Sequence, residues 1–198
     1  PSFNPQLQPW KSTEEYSAPI LVRDRRGDLN QFANIETSKL SDYLPPDSIA
    51  KATVIRAMVV DEEGRRSQVV TRTYFVGDDL SQKPNFPVVS LSSSPEGLFS
   101  DAKGIFVPGD YYQEVNDEDP KWNPANYTQR GAKWERPAYL QLFSQAGDVV
   151  LEQAIGIRTN GSASRAFPQK SIRIYAGNYY GDRGLMEYNF FPELNGRV

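Results

Sequence analysis

Between residues 149 and 176 two apolar, alternating segments flank an Asn160-Gly161 pair, and a chain with that pattern has few options beyond an antiparallel hairpin. Val149, Val150, Leu151, Ala154, Ile155 and Ile157 supply the first strand. Asn160-Gly161 marks the turn, and Ser162 and Ser164 keep the loop beyond it small and polar. Pro168 then biases Phe167 toward an extended backbone. In the return strand Ser171, Arg173 and Tyr175 fall on one face, with Lys170, Ile172 and Ile174 on the other. Lys170 therefore begins on the apolar side, where an ammonium must reach solvent or meet an anion.

Two readings of this hairpin stand side by side. One is a solvated hairpin with a basic rim. The other is an anion site, in which loop N–H groups and the side chains of Arg158, Arg165, Lys170 and Arg173 converge on phosphate or carboxylate. No Walker-type lysine motif is present, so a P-loop is not supported.

The rest of the chain also reads as strands and turns. A short edge strand is expected at 17–22, where Pro19 precedes Ile20 and Val22. The charged stretch at 23–28 interleaves acids with bases and reads as a solvated loop. Residues 52–61 and 67–76 are rich in β-branched side chains and pair as a hairpin around Gly64. Residues 79–87 hold Pro84, Asn85 and Pro87 and read as a linker. A strand is expected at 88–92, then a short helix with Ser94 at its N-cap and Pro95 at its first position. An extended piece is expected at 104–108 and a strand at 138–143.

Residues 109–136 concentrate acids and aromatics. Asp117, Glu118 and Asp119 can be a calcium loop or a solvated acidic loop, and the EF-hand spacing is missing. Trp122, Tyr127 and Trp134 can stack on a sugar or anchor a long loop by burial. Cysteine and histidine are both absent, which excludes a disulfide framework, thiolate or imidazole metal sites and a Ser-His-Asp triad. With 22 basic and 25 acidic residues, nucleic acid is not an expected partner. No apolar run reaches the ~20 residues of a membrane-spanning helix.

The stretch 156–176 resembles the signature of the CotH family, named for a bacterial spore-coat protein and related to atypical protein kinases. Gly156, Arg158, Gly161, Ser164, Lys170, Ser171 and Arg173 carry the likeness, and the flanks 86–110 and 134–158 resemble family members too. The resemblance spans about 86–198 and implies part of a kinase-like N-terminal lobe. It implies a phosphate site in which Lys170 holds the phosphates, Gly161, Ser162 and Ser164 form the covering loop, and Arg158 and Arg173 brace the hairpin. ATP and a divalent metal (magnesium or manganese) would serve a longer parent that phosphorylates Ser-rich protein. The family's catalytic and metal-binding acids lie further downstream, and no segment here matches them. This chain is therefore expected to hold no catalytic residue, metal ligand or cofactor of its own, and to be the inactive start of such a domain.

Residues 52–77, with 16–24 upstream, resemble the C-terminal Ig-like module of chitobiases and β-hexosaminidases, without that module's first strands. The expected fold is thus mainly β: a small, incomplete Ig-like β-sandwich over 1–78, a linker at 79–87, and a β-rich CotH-like part over 88–198. Secreted or cell-surface placement in a bacterium is implied by the resemblance. Expected partners are a protein substrate or surface and coat proteins, with glycan or cell wall as the alternative for a non-catalytic module.

Overall fold

The computed structural model describes residues 14–41, 49–77, 87–180 and 184–191. Within them the fold is mainly β, with six strands in two antiparallel sheets, one short α-helix and several single 3-10 turns. Strands β1 (Ala52–Ala57) and β2 (Val70–Phe75) pair with each other. Strands β3 (Val88–Ser93), β4 (Arg136–Phe143), β5 (Val149–Asn160) and β6 (Ser171–Tyr175) form the second sheet in chain order. The linker expected at 79–87 lies outside the described residues except for Pro87.

Alternation in β4 and β5 decides which way the larger sheet faces. Ala138 sits opposite Ile155, and Leu142 opposite Leu151. Ala138, Ile155 and Leu151, with Leu140 and Ile157, pack on Ile105 and Trp134, while Leu91, Leu98, Phe106 and Met186 close the rim. Helix α1 (Pro95–Phe99) starts as its sequence directs, with Pro95 in its first turn, although the Ser94 side chain makes no capping bond. The 104–108 stretch is not a strand. Ile105 and Val107 are instead buried beside the sheet, and the Ile105 and Phe106 N–H groups bond back to the helix carbonyls of Gly97 and Leu98.

The opposite face of the sheet carries Gln141 and Glu152, and the β1–β2 hairpin covers part of it through hydrogen bonds, an ion pair and a ring contact. Gln141 is only 1% exposed; its Oε1 accepts the Thr73 N–H at 2.8 Å and its Nε2 donates to Glu152 at 3.1 Å. The Thr73 and Ser90 hydroxyls lie 2.9 Å apart, Arg72 pairs with Glu152, and Phe75 meets Phe143 edge to face. The hairpin turn forms around Gly64, as its sequence predicts, with Asp61 accepting the N–H groups of Glu63 and Arg65.

One expected strand is absent. Residues 17–22 are not a strand, and Ile20 and Leu21 are exposed, because no described strand lies alongside to pair with them. Asn160-Gly161 opens the expected loop. Asn160 pairs with Ser171, so the connection runs over ten residues, 161–170, and contains the 3-10 turn Ala163–Ala166. Tyr127 and Trp134 are buried anchors of the long 109–136 loop. Asn126, next to Tyr127, is buried too, donating from Nδ2 to Asp101 O at 2.6 Å and accepting the Tyr111 N–H.

Candidate functional site

The loop 161–170 builds the candidate site. Gly161 has φ +105, a backbone conformation that favours glycine, and the Ser164 hydroxyl fills the space a Cβ would take. Arg165 folds back into the loop: Nε donates to Gly161 O at 2.8 Å and Nη1 to Gln129 O at 2.9 Å. Burial, and then the nearby charges of Arg130 and Arg173, hold this guanidinium below the ordinary arginine range, against an opposing contribution from Tyr175. Arg130 also reaches Gly161 O, at 3.5 Å. Ser162 is exposed at the start of the 3-10 turn, and Ser164 lies beneath Gly161.

Lys170 is placed differently from the anion-holding residue expected from sequence. Its Nζ donates to Thr37 O at 2.6 Å, Arg165 O at 2.8 Å and Phe167 O at 3.0 Å, and lies 4.1 Å from the centre of the Tyr127 ring. An ammonium has three protons, and all three are used here. Burial pushes Lys170 down to about 8. Burial also pushes the Tyr127 phenol up to about 12, with smaller contributions from Tyr112 and Glu36.

Arg158 and Arg173 stand opposite each other in register on β5 and β6, but their charges are handled differently. The Arg158 guanidinium donates to Glu135 Oε2 at 2.8 and 2.5 Å and lies over the Tyr175 ring at 4.3 Å. The Tyr180 hydroxyl donates to the other Glu135 oxygen. Burial first, then that bond, pushes the Tyr180 phenol above its ordinary range. Gly156 gives this cluster its room, since a Cβ there would come within 2.4 Å of both Glu135 Oε1 and the Tyr180 hydroxyl. Arg130 and Arg173 are exposed and Arg165 is buried, and none of the three has a carboxylate partner among the described residues.

The six residues expected from sequence thus divide. Gly161, Ser162 and Ser164 share one loop, Arg173 faces outward beside it, Arg158 is locked to Glu135, and Lys170 is turned onto backbone carbonyls. Arg130 and Glu135 also belong to this region, and no local sequence signal marks either. Among the described residues no three metal-ligating side chains gather closely enough to hold an ion, and Asp119 instead meets Lys121 and the Trp122 Nε1–H. No described helix is long and apolar enough to cross a membrane. Comparison with known proteins finds no matching family model, no similar curated protein and no similar solved structure.

Proposed function

We propose that the chain is the first part of a secreted or surface CotH-like protein, and that its 161–170 loop contributes phosphate contacts to a longer parent. In this reading the β1–β2 hairpin is what remains of an Ig-like module, and the four-stranded sheet is the counterpart of a kinase N-lobe. The parent transfers the ATP γ-phosphoryl group to Ser-rich protein with a divalent metal held further along the chain. One observation carries the proposal: Arg130 and Arg165 both reach Gly161 O, Arg173 lies close enough for its charge to act on Arg165, and among the described residues none of the three has a carboxylate partner. Phosphate oxygens are the natural complement of such guanidiniums. Lys170 then shapes the loop, and Arg173 and Arg130 meet the anion.

Titration calorimetry with ATP and with pyrophosphate tests this. Binding should be weak and salt-sensitive, should fall about tenfold in Arg173→Ala, and should occur without ATP turnover. Equal affinity in an Arg130→Ala/Arg173→Ala double variant would remove the anion site. A second reading, a glycan-holding surface module, draws on Trp122, which is 53% exposed whereas Tyr127 and Trp134 are buried. Retention on insoluble polysaccharide, lost in Trp122→Ala, would favour it instead.

A further inference from the structure

The irregular stretch before β1 makes its tightest contacts with the 161–170 loop, more than 120 residues away. Ser38 is 3% exposed; its hydroxyl donates to Ala166 O at 2.6 Å and accepts the Leu40 N–H at 3.0 Å. One residue earlier, Thr37 O receives the Lys170 ammonium. Leu40 packs against Ala125, Tyr127 and Ala166. Lys39 pairs with Glu36 and lies over the Tyr112 ring. Further upstream Phe32 stacks on Phe99 of α1. The stretch therefore lies across elements of the larger sheet's side of the molecule, although it precedes the hairpin in sequence.

From the loop's side these contacts are structural necessities. Ala166 is buried, and a buried carbonyl without a donor is costly. Ser38 supplies that donor. Lys170 can hold Arg165 O and Phe167 O in one tight curve because Thr37 O and the Tyr127 ring take the rest of its charge.

We propose that residues 37–40 are a strap that sets the shape of the 161–170 loop, so that the basic site is assembled from segments on both sides of the β1–β2 hairpin. The strap's ligand-binding consequence rests on the anion reading above; its existence does not. By reciprocity, whatever displaces the upstream stretch loosens the loop, and whatever orders the loop tightens the stretch.

Hydrogen exchange read by mass spectrometry on the whole chain tests the strap. Ser38→Ala should speed exchange in peptides covering 161–170 about tenfold, and leave β4 and β5 unchanged. Lys170→Met should speed exchange both in 161–170 and around Leu40. Unchanged exchange at 161–170 in Ser38→Ala overturns the strap, and it does so even if Lys170→Met fails to fold. Pyrophosphate should slow exchange of the loop in the wild type, and less so in Ser38→Ala. No effect of pyrophosphate on the wild type, with faster exchange still seen in Ser38→Ala, refutes the anion reading and leaves the strap standing.

Discussion

Replacing Gly156 by alanine should destabilise the protein by about 2–3 kcal/mol, all of it through three side-chain atoms. Gly156 does not occupy the left-handed region, so alanine meets no backbone strain there. It meets instead Glu135 Oε1 and the Tyr180 hydroxyl, each 2.4 Å from the new Cβ, and Glu135 Cδ at 2.6 Å. Such atoms can often swing away cheaply because they end flexible side chains. Here they cannot, because the Glu135 carboxylate is held by Arg158 on one oxygen and by Tyr180 on the other. Making room means giving up at least one hydrogen bond to a charged group, about 1.5–3 kcal/mol. With a urea slope of about 2 kcal/mol/M, the midpoint should fall by about 1 M, followed by the fluorescence of buried Trp134. Tyr180→Phe removes one of the obstructing atoms, so Gly156→Ala should cost at least about 1 kcal/mol less in that background. Additive losses, or a Gly156→Ala cost below about 0.5 kcal/mol, would show that the cluster is not the constraint on this strand.

Two further outcomes concern buried polar groups. Gln141→Leu leaves the buried Thr73 N–H without its acceptor and should cost about 1–3 kcal/mol, with exchange at β2 rising more than at β4; equal protection of β2 in both proteins would refute the role given to Gln141. Lys170 should titrate near 8 by NMR of the labelled lysine, against 10.5 for an ordinary one. Because the folded value is the lower one, the folded state releases this proton first. Stability relative to Lys170→Met should therefore rise as pH climbs from about 8 toward 10.5 and stay level below 8. A fall over that window would mean that the carbonyls and the Tyr127 ring outweigh burial.

Local chemistry made parts of this molecule legible in its sequence. Ile172 and Ile174 alternate with Arg173 and Tyr175, and the strand they predict is β6. Pro95 after Ser94 marks a helix start, and the helix is there. Lys170 is the instructive case. Its place on the apolar side of the strand rightly demands a partner, but the partner is neither solvent nor an anion. Three backbone carbonyls and an aromatic face supply the negative potential, one of those carbonyls from Thr37. Partners that distant leave no mark on neighbouring residues, which also hides Ser38, Arg130 and Glu135. Asn160-Gly161 marks where the first strand ends, and the loop it opens runs on to Lys170 around the buried Arg165 and Ala166. At 17–22 the alternation is real, but with no described strand beside it to pair with, it yields no strand.

The burial of Asn126 bears on how this protein can be produced. Asn126, Tyr127 and Thr128 form an acceptor sequence for N-linked sugar. The nitrogen that would carry the sugar is the one that bonds Asp101 O, in a side chain 1% exposed. A glycan there has no way out of the folded molecule. In a eukaryotic secretory host, attachment acts on the emerging chain, so each copy either folds first and stays bare or is modified first and is barred from this fold. The yield of native protein from such a host would be set by that race, and a bacterial cytoplasm removes it.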